Sequence, residues 1–311
     1  MEAKRQISVQ TADWYDVLFG AEAGADEAFA YIKSCGFTAV DYNLDQTMPN
    51  INKGDVGTFF DRSVEEIIAF YCPVKEAAEK HGITLAMAHA PFPMNCDKCP
   101  EKEPYIMEAV IKLIAVCEYL HIPNLVVHPI KNRDRNLEWQ LNMQMYSKLI
   151  PAAKKHGVTI CLENLFDWRN GHAIQCACTD AQEACRYIDT LNEMAGQSCF
   201  GFCYDVGHGN ITSRNIYEDL KILGKRIKVL HIHENDGRMD SHCAPYTVRV
   251  GSKQGATDWD GFLRGLKEIG YEGPLNFETF AAVEYLPKQV VSVALQYISG
   301  IGQYFKSKIE D

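Results

Sequence analysis

The stretch LHIHENDGRMDSH, residues 230–242, places His231, His233, Asp240 and His242 directly after the strand-like IKV. Imidazoles and carboxylates bind divalent cations and move protons, so this density of them invites a chemical reading. The same residue types recur at the ends of other apolar runs. They are His89 in AHAPFP, His128 in VVHP, Glu163 in LEN, Asp205 and His208 in YDVGH, and Glu278 in FET. Singly, each reads as an ordinary strand end. His81, His121 and His156 sit at helix ends and are read as structural. Recurrence at successive strand ends is what calls for chemistry. Carboxylates gathered without compensation repel, and one of them keeps a proton. A divalent cation removes that conflict. A mixed oxygen and nitrogen donor set suits Mn²⁺ first, with Zn²⁺, Co²⁺ or Mg²⁺ as alternatives.

Such residues are useful only if the fold gathers them. Eight short β-branched or apolar runs are predicted as strands, at 6–12, 38–44, 83–90, 124–130, 158–164, 200–206, 227–233 and 274–279. Helical patterns alternate with them near 24–35, 63–81, 105–120, 138–156, 180–195, 215–224, 259–269 and 285–306. Alternation of this kind means parallel strands with crossover helices, and eight units point to one (β/α)8 barrel spanning residues 1–311 as a single domain. EKHGITL (79–85) and KKHGVTI (154–160) repeat one junction: basic residues in the last helical turn, a glycine cap, then a β-branched strand start. In a parallel barrel the strands' C-terminal ends converge, so the ligand-type residues should meet at one mouth. The long stretch 237–258 is expected to be a functional loop.

The chain has 311 residues, 47% of them hydrophobic, and a net charge of −10. It carries no basic run, so nucleic acid is not expected as a partner. No window is long enough for a membrane span, and MEAKRQISVQ has no apolar signal core; a cytoplasmic location is the expectation. VVSVALQYISGIGQYF near the C-terminus reads as a packed helix, and a homo-oligomer is left open. The cysteines are expected to be reduced, with CDKC (96–99) a loop bearing two free thiols.

The ordered series HAPFP, VVHP, LEN, YDVGH, HIHEND…DSH and FET resembles the xylose isomerase-like TIM barrel superfamily, which includes sugar phosphate isomerases and epimerases, ketose 3-epimerases, inosose dehydratases and endonuclease IV. The resemblance runs from about residue 6 to residue 280. It implies one divalent metal held by Glu163, Asp205, His231 and Glu278. His231 is preferred to His233 because it directly follows KVL, and His233 is expected to point the other way. His208 matches a substrate-contacting position. The endonuclease branch implies a larger set, to which His89, His128, Glu163, Asp205, His208, His231, Asp240, His242 and Glu278 all correspond. CAPYTVRVGSKQGATDW departs from the family's short turn, which puts the placement of Asp240 and His242 in question and offers Arg249 or Lys253 as substrate contacts.

The resemblance implies an isomerase or epimerase of a small sugar, ketose or polyol derivative. Glu163 and Glu278 would move the proton beside a carbonyl on opposite faces. Trp14, Tyr15, Phe92, Phe166 and Trp168 could wall the pocket. Arg133, Arg169, Arg238 and Arg249 are too sparse near the mouth to require a phosphate. Two alternatives share the residues: a lyase or dehydratase of the same family, and an endonuclease IV-like phosphodiesterase with three zinc ions.

Overall fold

The computed structural model describes residues 5–11, 24–44, 47–250, 254–255 and 257–311. Its elements follow in chain order. They are β1 Ile7–Gln10, α1 Ala25–Ser34, β2 Ala39–Asn43, α2 Val64–His81, β3 Thr84–His89, α3 Glu103–Tyr119, β4 Asn124–Val126, α4 Arg135–Ser147, α5 Ile150–His156, β5 Thr159–Glu163, β6 Phe166–Arg169, β7 His172–Gln175, α6 Ala181–Ala195, β8 Phe200–Asp205, α7 Val206–Ile211, α8 Ile216–Leu223, β9 Ile227–His231, β10 Arg249–Val250, β11 Gln254–Gly255, α9 Trp259–Glu268, β12 Leu275–Phe277 and α10 Lys288–Glu310.

Eight strands form one parallel sheet in the order β12-β1-β2-β3-β4-β5-β8-β9. The ring closes where Ile232 bridges Phe277 in parallel. There the Ile232 N–H donates to Asn276 O at 2.9 Å and the Glu278 N–H to Ile232 O at 3.1 Å. The expected barrel is therefore present, with each of the eight strands inside its predicted range. Helix α2 begins with a capping box between Ser63 and Glu66 and ends at Gly82, with φ 59°. Helix α5 ends at Gly157, with φ 66°. Both glycines adopt the left-handed conformation that the repeated junction calls for, which costs a residue with a Cβ more.

Three local features depart from expectation. The helix predicted over 138–156 divides into α4 and α5, because Pro151 stands in the first turn of α5 and has no N–H to continue a helix. Two small antiparallel pairs, β6–β7 and β10–β11, rise from the loops after β5 and β9. Cys96 and Cys99 are joined as a disulfide, not two free thiols. The Cys99 N–H donates to Cys96 O at 2.9 Å, and this turn brings the two Cα atoms to 5.1 Å, within the span a disulfide needs.

The main core lies between strands and helices. A second cluster, Met87, Val126, Cys161, Cys203 and Val229, is fully buried inside the barrel. Strand side chains alternate with a period of two. The interior layer above this cluster is therefore His89, His128, Glu163, Asp205 and His231. The apolar layer is the floor on which the polar residues stand. Among the described residues, no helix is long and apolar enough to cross a membrane.

Candidate functional site

The mouth is built from strand ends. Asp205, His231 and Glu278 bring ligand atoms within 4.8 Å of one another, and so do His89, His128 and Glu163, and Glu163, Asp205 and His208. His231 is the hub. Its Nδ1 lies 3.4 Å from Glu163 Oε2, 3.4 Å from Glu278 Oε2 and 3.8 Å from Asp205 Oδ2. Cys203 also reaches this group, but burial pushes its thiol well above the usual range, so it stays a neutral floor residue.

A fourth group holds His208, His233, Asp240 and His242. The long loop thus delivers both Asp240 and His242 to the mouth. It is anchored by Glu234, whose Oε2 accepts from the Thr247 and Val248 N–H groups at 3.0 and 3.1 Å and whose Oε1 accepts from Trp259 Nε1 at 3.1 Å. His242 itself sits at φ 44°, a conformation that the surrounding contacts must enforce.

His233 corrects an expectation. It does not turn away. Positions two apart share a strand face, so His233 follows His231 inward, where its Nε2 lies 3.1 Å from Asp205 Oδ1. Its ring stacks on His242 with centroids 3.9 Å apart. Room for it comes from Gly207: a Cβ there would lie 1.9 Å from His233 Cε1. We expect Gly207→Ala to displace the ring and lower stability by ~1–3 kcal/mol, the usual range for overpacking. Denaturant unfolding would check this, and an unchanged midpoint would refute the packing argument.

The histidine tautomers follow from their partners. His89 Nδ1 lies 2.9 Å from Ala90 O, His208 Nδ1 2.8 Å from Asn164 O, and His242 Nδ1 3.1 Å from Glu278 O. A carbonyl oxygen only accepts, so each Nδ1 carries a hydrogen. In a neutral ring Nε2 then presents its lone pair to the cluster, the arrangement typical of metal-ligating histidines. His231 is oriented differently. Its Nε2 faces Asp41 Oδ2 at 3.4 Å, which leaves Nδ1 for the site.

Asp41 escaped sequence reasoning. It lies at a register shift in β2 and is fully buried. Its Oδ2 accepts from Asn276 Nδ2 at 3.3 Å and from Gln10 Nε2 at 3.5 Å. Gln10 Nε2 also donates to Glu278 Oε1 at 3.0 Å, which leaves Oε2 toward His231. The acidic end of VDYNL was the available signal, but nothing local says that it backs a histidine. Carboxylates behind ligating histidines are worth 10–100-fold in metal affinity. We expect Asp41→Asn to weaken cation binding by about that factor, and titration calorimetry that found the affinity unchanged would refute this role.

Electrostatics tie the set together. Burial alone would raise the Glu163 carboxyl, but the imidazoles of His231 and His128 outweigh it and hold the group well below the usual range. Against the same burial penalty, His231, His242 and His233 bring Glu278 down to about 2. Burial depresses His231 and His208, yet their acidic neighbours raise both well above the usual imidazole value. His89, whose largest influences are burial and His128, falls to about 4. The donor set fits a divalent cation on a separate ground. His231 Nδ1, His233 Nδ1 and Asp240 Oδ1 are buried without a hydrogen-bond partner. Such atoms cost about 1–3 kcal/mol each unless a counter-group meets them.

Above the ligands opens a cavity of about 920 Å³ lined by Phe92, His128, Phe166, Trp168 and His208, with Lys98, Lys131, Arg133, Asp97 and Asp167 also on its walls. Phe92 and Trp168 stand where expected, and Trp168 is held by the β6–β7 pair. Arg249 is exposed on β10 and, like Arg169 and Arg238, is not among the cavity-lining residues. Lys131 was missed because it follows β4 by several positions. Trp14, Tyr15 and Lys253 lie outside the described residues.

Comparison with known proteins places this architecture. A curated protein of Sinorhizobium fredii, y4fM, is 35% identical over 79 residues, 25% of this chain and 23% of its own length. The chain thus spans about a quarter of that relative. Inosose isomerase of Bacillus subtilis is 24% identical over 200 residues, covering 60% of this chain and 68% of its own. The structure of 3-keto-D-glucoside 4-epimerase from E. coli aligns with a TM-score of 0.68 at 16% identity, over 95% of this chain and 99% of that one. The IOLI protein, solved with a binding zinc atom, aligns with a TM-score of 0.66 at 21% identity, over 94% and 96%. These structural likenesses show a shared fold. The family model for the xylose isomerase-like TIM barrel matches residues 29–298, most of the ring, and the chain belongs to that family.

Proposed function

We propose that this protein is a divalent-metal-dependent isomerase or epimerase acting on a small sugar, ketose or polyol derivative. The observation that carries the reading is the approach of two carboxylates to one imidazole nitrogen: Glu163 Oε2 and Glu278 Oε2 each lie 3.4 Å from His231 Nδ1. Glu163, Asp205, His231 and Glu278 would hold the ion, which when bound supplies Lewis acidity toward a substrate carbonyl. Glu163 takes the proton from the carbon beside that carbonyl. Glu278, steadied by Gln10, returns one from the opposite side. Phe92, Phe166 and Trp168 exclude water and face the apolar side of a sugar ring. Relatives named for inosose and ketose chemistry support this substrate class.

The test is a manganese- or zinc-replete protein incubated with ketoses and inososes in D₂O, read by NMR for exchange at the carbon next to the carbonyl. Exchange with an isomeric product supports the proposal; exchange with loss of water from the product selects a lyase. If the panel shows neither exchange nor conversion, the proposal fails.

One observation favours a second reading. The nine positions that match a three-zinc phosphodiesterase converge on this mouth, and His233 joins them. On that reading the protein holds about three zinc ions per chain and cleaves abasic-site duplex DNA with steep salt dependence. The net charge of −10 opposes it. Metal analysis together with a DNA cleavage assay separates the two.

A further inference from the structure

Helix α10 packs Val291, Leu295, Ile298, Ile301 and Phe305 onto the barrel. It also carries a second apolar row on its outer side. Leu286, just before the helix, and Val290, Val293, Tyr297 and Tyr304 are 36%, 41%, 62%, 50% and 44% exposed. With Gly300 the outward positions within the helix run 290, 293, 297, 300 and 304. Steps of four and three keep one helix face against another helix.

Two further features set this face apart from a solvated one. From Gln289 to Phe305 there is no Asp, Glu, Lys or Arg, in a chain whose residues are 23% charged. Solvent-facing helix surfaces ordinarily carry charge, whereas the cores of protein interfaces lack it. Gly300 is the second feature. A glycine in a helix interior costs about 1 kcal/mol relative to alanine. At Gly302 the chain itself demands one, because a Cβ would meet Ile7 Cγ2 at 2.6 Å. At Gly300 a Cβ would meet nothing within 4 Å among the described residues, so no contact there accounts for it. A second helix passing close by would.

We propose that the outer face of α10 is a two-fold interface on which a second copy of this chain lays its own α10 antiparallel. The row is its own complement. An antiparallel crossing at the level of Leu295 sets Val293 against Tyr297 of the second copy and Val290 over its Gly300. Each small or aliphatic side chain meets an aromatic ring or the open glycine. An isologous contact of this kind is the commonest route to a dimer. With Tyr246, whose ring lies 6.5 Å from that of Tyr304, the row exposes on the order of 500 Å² of side chain. The Gln289, Gln296 and Gln303 flank carries the face toward the ~800 Å² per partner of a stable interface. This inference does not depend on the reaction proposed above.

Sedimentation velocity of the full chain across a dilution series is the test. The expected result is a species of twice the 35.1 kDa chain mass that dissociates on dilution. Val293→Glu, on the monomer's surface, should keep the circular dichroism of the parent and weaken association on the order of 100-fold. Gly300→Leu, which closes the gap opposite Val290, should weaken it as well. A monomer at every concentration would overturn the proposal, as would a dimer indifferent to Val293→Glu or α10-dependent binding to lipid vesicles in place of self-association. Association indifferent to Gly300→Leu would overturn the antiparallel register.

Discussion

Glu278→Gln and Glu163→Gln are each expected to lower net conversion of substrate by ~10³-fold or more. General acid–base groups contribute about 10²–10⁴-fold apiece, and inversion at one carbon needs a group on each face. Gln keeps the shape and one oxygen of Glu, so the cavity and its aromatic walls should persist. A finer result separates the two-carboxylate scheme from a mechanism with a single base. With one carboxylate neutralised, the other can still exchange a proton on its own face. The variant should then wash deuterium into substrate without forming the epimer. Conversion retained in either variant, measured with metal content confirmed for each, would sink the scheme. Gln10 offers an internal control. Its amide donates to Glu278 at 3.0 Å but also reaches Asp41, so its loss should cost less than that of Glu278.

The second large effect is expected at His231. Its ring is almost fully buried, with Glu163 and Glu278 at 3.4 Å on one side and Asp41 at 3.4 Å on the other. His231→Ala leaves those carboxylates facing one another with no imidazole between them. Removing one partner of a buried charge cluster typically costs ~3–5 kcal/mol, and we expect a loss of that size in the metal-free protein. The parent should also gain stability from the ion: at one hundred times the dissociation constant, binding contributes about 2.7 kcal/mol. His231→Ala should forfeit most of that gain as well. Urea unfolding of both proteins, with chelator and with added Mn²⁺ or Zn²⁺, measures the two parts separately. If the variant gained as much from metal as the parent does, His231 would not be a ligand.

Much of this was legible in the chain. The eight strand ends were found because alternation of β-branched runs with helical stretches survives in one dimension, and because Gly82 and Gly157 mark their junctions locally. The residue types at those ends are simply letters, so Glu163, Asp205, His231 and Glu278 could be marked as candidates in advance, and the convergence of distant ends follows from ring closure.

What the chain did not reveal depends on where side chains point once the ring has closed. Asp41 and His231 are far apart in sequence and adjacent only because strands β2 and β9 look across one interior. His233 turns inward because Gly207, in the first turn of α7 just after β8, has no Cβ to block it. The turn at residues 96–99 brings two sulfurs together in a disulfide, where the spacing alone was read as two free thiols. In each case the sequence determined which chemical groups the protein owns and roughly where along a strand they fall. The tertiary structure decided which of them meet, because contact between remote groups is a property of packing and orientation that no local pattern encodes.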